Sequence, residues 1–311
     1  MAILLTTLTI VLPVFLVIGL GFALKRTALI DSHFLYQLNR LIYYIALPSL
    51  LFYKIGSADF AASFNEALVL GLILTVALGF ALSYAWASLR GYPPAVRGTF
   101  SQGAFRGNLA YIGLALVFNA YGEEGFAHAG VLMGFLVPTL NFFAMLALLL
   151  PHRQRQAHSL RFWLAQLAAN PLILASFAGI CWSFLRLPMP LVFARAFDIL
   201  TGMALPLALL AIGGTFSFEK LRGDLGKALL ATGLKIVGAP LLAWGLLHLM
   251  GVGGMDLAIG VIFAGTPAAT ATYIMAQEMK GDAELAGTII MLSTLLSVVT
   301  YTVALLLLHG T

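Results

Sequence analysis

The sequence predicts an all-α membrane protein: ten transmembrane helices arranged as two inverted five-helix repeats, with broken crossover helices at positions 4 and 9. Three observations predict it. The 311 residues are 61% apolar and 9% charged, whereas soluble domains run at roughly 45–50% and about 25%. Ten apolar runs are each close to the ~20 residues that a helix needs to span a bilayer. The chain also matches itself at an offset of 158 residues.

Composition excludes several classes at once. Seventeen basic and twelve acidic side chains cannot cover a water-facing surface of this size, which rules out a cytosolic enzyme, a disulfide-rich secreted fold and a disordered chain. Cys181 stands alone in an apolar run, so it reads as a small buried hydrophobe and no CxxC metal site exists. The net charge of +5 comes from short basic clusters between apolar runs. That pattern sets membrane topology, and no nucleic acid partner is expected.

The runs fall at 3–24, 33–53, 66–89, 98–119, 125–150, 162–185, 191–216, 227–250, 256–278 and 283–308. Nothing basic precedes the first run and Lys25-Arg26 follow it, so it reads as a span and not as a signal peptide. Connections after odd-numbered runs carry Lys25, Arg26, Arg90, Arg97, Arg153, Arg155, Arg161, Lys220, Arg222, Lys227 and Lys280; the other side has Lys54 and Arg186. Eleven against two places the odd connections in the cytoplasm and both termini outside. Residues 1–150 form the first repeat, 151–161 a short cytoplasmic linker, and 162–311 the second repeat. The connections leave no room for a soluble domain.

At the 158-residue offset, Pro13 meets Pro171 and Gly21 meets Gly179. Ala46-Leu47-Pro48 meets Ala204-Leu205-Pro206, Phe105-x-Gly107 meets Phe263-x-Gly265, and Met133 meets Met291. Five spans per repeat is an odd number, so the second repeat enters the membrane from the opposite side. Inverted repeats with interrupted helices near the midplane are a plan of secondary transporters.

The fourth and ninth runs contain a stop followed by a start. Gly107 and Gly265 suit a left-handed helix end. Asn108 is a good N-cap; Thr266 is another, with Pro267 at the first helical position. Two half-helix N-termini would then direct unsatisfied N–H groups into one central region, a setting for an anion. Close packing at the glycines is the structural alternative. Pro48 and Pro206 read as kinks that can also serve as hinges.

Arg106 lies about eight residues, roughly 12 Å, into the fourth run. It either snorkels to the headgroups or attracts an entering carboxylate. Arg40 and Lys235 carry the same two readings, Arg40 leaning toward the snorkel. Tyr111, Asn141, Thr270, Tyr273 and Gln277 are the further polar candidates for a substrate site. Tyr273 and Gln277 lie four apart and share a helix face. The histidines lie in loops or at run ends, without HExxH or a Ser/His/Asp grouping, so neither metal nor catalytic residues are expected.

In LNRLIYYIALPSLLF (38–52), FRGNLAYIGLAL (105–116), ANPLILASFAGI (169–180), MALPLALLAIGGTF (203–216) and GTPAATATYIMAQEMKGDAELAGTIIMLSTLLS (265–297) the chain resembles the auxin efflux carrier family. Bacterial members are annotated for malonate and similar acids. The resemblance implies ten spans, two crossing broken helices and elevator-like transport of an organic anion, with Asn108 and Pro267 at the crossover positions. The family often has Gly-x-Pro after the first crossover, where this chain has Gly113-Leu114-Ala115. The long central loop of the plant exporters is absent, and regulation through it does not carry over.

The function expected is therefore a secondary transporter for a small organic anion, a carboxylate, in a bacterial inner membrane. A channel-like facilitator of the same fold and a membrane-embedded ligand or sterol sensor are the alternatives. The expected partners are the anion and the bilayer, and a homodimer is compatible with the pattern. No cofactor is expected. Coupling to H+ or to Na+ is compatible too, the latter because the related bile-acid/sodium symporters share the architecture, although no carboxylate-rich sodium motif is present.

Overall fold

The computed structural model describes residues 2–58, 60–152, 170–216 and 224–308. Among them every regular element is helical, apart from one isolated bridge between two chain segments. Six helical stretches are long and apolar enough to cross a membrane: Leu5–Arg26, Glu66–Leu89, Leu109–Leu149, Leu191–Thr215, Leu225–Leu249 and Ala283–Leu308. Large apolar side chains face outward along them, Leu82 at 64% and Ile199 at 73% exposure, as expected of a surface solvated by lipid.

Helix α1 covers Ala2–Arg26. The second run is one rod of three parts: α2 (Ser32–Leu41), a π-helical turn (Ile42–Ala46) and α3 (Leu47–Ser57). Pro48 sits in the first turn of α3, where its missing N–H is harmless, and the widened turn before it absorbs the disruption. A short α4 (Phe60–Ser63) leads to α5 (Glu66–Leu89), whose N-cap Asn65 accepts from the Leu68 amide at 3.1 Å. Helix α6 (Pro94–Phe105) stops at Arg106; a π-helical turn (Leu109–Gly113) then runs into α7 (Leu114–Leu149). The gap expected between the fourth and fifth runs is a sharp kink at Gly122, whose positive φ of 59° suits glycine.

After the undescribed stretch 153–169 come α8 (Pro171–Phe184) and α9 (Leu191–Thr215). Helix α9 holds Pro206 in its interior without being broken there. Next are α10 (Leu225–Gly233), a third π-helical turn (Leu234–Gly238) and α11 (Ala239–Leu249). The ninth run splits into α12 (Gly254–Ala264) and α13 (Ala271–Glu278), and α14 (Ala283–Leu308) ends the described chain. Most of the predicted linker 151–161, together with Arg153, Arg155, Arg161, Lys220 and Arg222, lies outside the described residues.

Two sets of contacts fix the arrangement. Helix α1 lies against α9 and α3 against α8. A Cβ at Gly21 would strike the Leu210 backbone, and one at Gly213 the Ile18 backbone, so α1 and α9 touch main chain to main chain. Around the two helix breaks, Phe105, Leu109, Ile112, Leu136, Ile262 and Phe263 form part of one buried core. At the helix ends nearest Asn65, the Asp256 carboxylate takes His128 Nδ1 at 2.8 Å and Asn65 Nδ2 at 2.7 Å, tying α5, α7 and α12 together. Lys54 pairs with Glu123 at 2.8 Å beside the Gly122 kink.

Candidate functional site at the helix crossing

The two breaks meet although 158 residues separate them. Gly107 and Ala268 form an antiparallel bridge. The Asn108 amide donates to the Pro267 carbonyl at 2.8 Å, and the Ala269 amide donates to the Arg106 carbonyl at 3.1 Å. Ser293 on α14 accepts the Ala268 amide at 3.0 Å. Main-chain groups released by the breaks are thus largely taken up by protein, as a non-helical segment inside a membrane protein requires.

At the breaks the glycines act otherwise than expected, and one of the two expected caps forms. Neither Gly107 nor Gly265 is left-handed; Gly265 has φ −81°. Glycine at 107 is required by proximity instead, since a Cβ there would run into Thr266 Oγ1 and stand 3.2 Å from Lys235 Nζ. Asn108 does cap: its side-chain oxygen accepts the Tyr111 amide at 3.4 Å. Thr266 does not. Its hydroxyl donates back to the Phe263 carbonyl at 2.7 Å and its amide bonds the same oxygen, which holds it in the closing turn of α12. Pro267 consequently lies in the non-helical stretch, where its carbonyl serves the other break, and the second half-helix starts at Ala271, with Thr270 in the N-cap position. Among the described residues, the amides of Leu109 and Ala110 on one half-helix and of Thr270 and Ala271 on the other find no acceptor.

Arg106 is buried, and its guanidinium turns inward. One terminal nitrogen donates to Asn141 Oδ1 at 2.7 Å and the other contacts Met275 Sδ. Its charge has no buried carboxylate partner among the described residues. Gln102, also fully buried, donates to the same Met275 sulfur at 3.4 Å while its own oxygen is unpartnered. Tyr43, from the π-helical turn of the second run, is close enough to interact electrostatically with both Arg106 and Tyr111.

The remaining candidates separate into two groups. Asn141 joins Arg106, and Tyr111 reaches across to Asn39, its hydroxyl donating at 3.4 Å. Tyr273 and Gln277 do share a face, with Gln277 Nε2 donating to the Tyr273 hydroxyl at 3.1 Å, farther along α13 from the crossing. Arg40 is exposed, with its guanidinium 5.9 Å from the Tyr36 ring centre.

Sequence reading missed Met275, Ser293, Asn39 and the importance of Lys235. Lys235 sits in the third π-helical turn at 1% exposure and donates to the Ala264 carbonyl, the last of α12. A cation there meets the negative end of a helix dipole. The cavity beside it, lined by Lys235, Gly107, Thr75 and apolar side chains, has a volume of about 30 Å³. A space of that size is enough for water, which needs roughly 10–15 Å³.

A family model described as "Membrane transport protein" matches residues 6–305. An "Uncharacterized transporter" of Methanothermobacter thermautotrophicus is 27% identical over 290 residues, covering 93% of this chain and 94% of the relative. A "Putative malonate transporter" of Rhizobium meliloti is 29% identical over 308 residues, covering 97% and 95%.

Proposed function

Because the chain belongs to the membrane transport protein family, that of the auxin efflux carriers, we propose that it is a secondary transporter carrying a small carboxylate across a bacterial inner membrane. Arg106 carries this reading: a permanent charge, buried beside two half-helix N-termini and without an acidic partner among the described residues. Burying a lone cation costs several kcal/mol (), and an anion bound beside it offsets that cost. The free amides of Leu109, Ala110, Thr270 and Ala271 supply neutral donors of the kind that bind carboxylates. The substrate set is Arg106, Asn108, Tyr111, Asn141, Thr266, Pro267 and Thr270, with Tyr273 and Gln277 lining the approach. The name of the Rhizobium relative supports a small dicarboxylate such as malonate.

In this reading the ten runs span the membrane as two inverted repeats, and the crossing moves as part of an elevator. Pro48 and Pro206 then flank the moving boundary. Counterflow in liposomes tests the proposal, with acetate, malonate, succinate and citrate as probes. Saturable exchange of at least one is expected. Flux that rises without saturation would favour the channel, and binding without flux the ligand sensor.

A further inference from the structure

Two buried cations flank one glycine, and they differ in a single chemical property. Arg106 precedes Gly107 in the chain, while Lys235 Nζ stands 3.2 Å from where a Cβ of residue 107 would lie. Arginine holds its charge at any pH that a protein meets, whereas lysine can shed its charge by giving up a proton. Lys235 has reason to do so: it is 1% exposed, it donates to the neutral Ala264 carbonyl, and no carboxylate is buried among the described residues. The hydrogen bond to Ala264 does not depend on the charge, because an amine keeps two N–H groups. Both forms therefore fit the same packing.

We propose that Lys235 is the proton carrier of this transporter, taking up one proton when the anion binds beside Arg106 and releasing it when the anion leaves. The inference rests on the transport reading above. On release, one N–H bond of the ammonium breaks, the proton passes to water and the electron pair stays on Nζ. The cavity of about 30 Å³ beside Lys235 gives that water a place. An anion near Gly107 favours the ammonium, and by reciprocity the ammonium favours the anion. Anion and proton thus cross in the same direction.

The charged and titratable groups on the neighbouring elements have other positions or partners. The π-helical turn packs on α6, α10, α11 and α14. Helix α6 brings Arg106, which is permanently charged, and Arg97 near its start. Helix α14 brings Tyr301, whose hydroxyl donates to the Ile262 carbonyl at 3.1 Å, and Glu284 in its first turn. Lys227 on α10 and His248 on α11 lie toward the far ends of their helices.

The test has two arms. In the first, proton uptake by detergent-purified protein is titrated through the neutral range, and Lys235→Met is subtracted from wild type. A difference of one proton per chain is expected; no difference overturns the proposal. In the second, flux of whichever acid moves in the counterflow panel is measured with the membrane potential clamped. One-to-one coupling gives about tenfold accumulation per pH unit. Lys235→Arg keeps a charge on the Ala264 carbonyl but cannot become neutral by giving up a proton, and it should accumulate nothing against the pH gradient. Gradient-driven accumulation by either variant, or wild-type flux indifferent to the gradient, overturns the proposal. If none of the acids moves, the transport reading fails, while the titration still decides on Lys235.

Discussion

Arg106 places a permanent charge against an amide oxygen and a thioether, neither of which neutralises it. Arg106→Gln should therefore weaken carboxylate binding about 10- to 100-fold, from the ~1.5–3 kcal/mol of a charged hydrogen bond. Calorimetric titration of well-folded protein measures this, and Arg106→Lys should recover part of the loss, without the planar fork. Gly107 makes a different kind of contribution. Gly107→Ala would press a methyl group into the Thr266 hydroxyl, and overpacking of this kind costs about 1–3 kcal/mol. Thermal unfolding should show the loss, and the double variant Gly107→Ala/Thr266→Ala, which removes the opposing hydroxyl, should regain part of it.

At the scale of the helix, the two interruptions differ in construction. On the first, Asn108 caps directly, so Asn108→Leu should lose about 1 kcal/mol of local stability and most of the transport rate in the counterflow assay. On the second, the cross-chain bond uses the Pro267 carbonyl, which alanine also has, so Pro267→Ala should leave most of the flux intact. The interruptions were legible in the sequence because glycine and a capping residue stand together inside apolar runs. The restart of the second half-helix was not. Thr-Pro reads as a helix start from local pattern, yet the Thr266 hydroxyl is held by Phe263 and Pro267 is held by the other strand of the crossing. Local propensity carries no information about a partner 158 residues away. The same limit hid Lys235: its depth was legible, but the carbonyl it would find depended on how α12 folds back beside it.

At the scale of the whole molecule, the charge bias between connections expects both ends of the chain on the outer side. Single cysteines placed at positions 2 and 311, in a chain with Cys181→Ala, should react with an impermeant maleimide in intact cells; protection until lysis would reverse the orientation. The paired main chains at the crossing also leave a kinetic signature. The amides of Asn108, Ala268 and Ala269 are each bonded, while those of Leu109, Ala110, Thr270 and Ala271 are open. In deuterated buffer, the first set should exchange only when the crossing itself comes apart, and the second whenever solvent arrives. The seven positions thus form a clock with two hands, one timing the integrity of the fold and the other counting each visit of water to its centre.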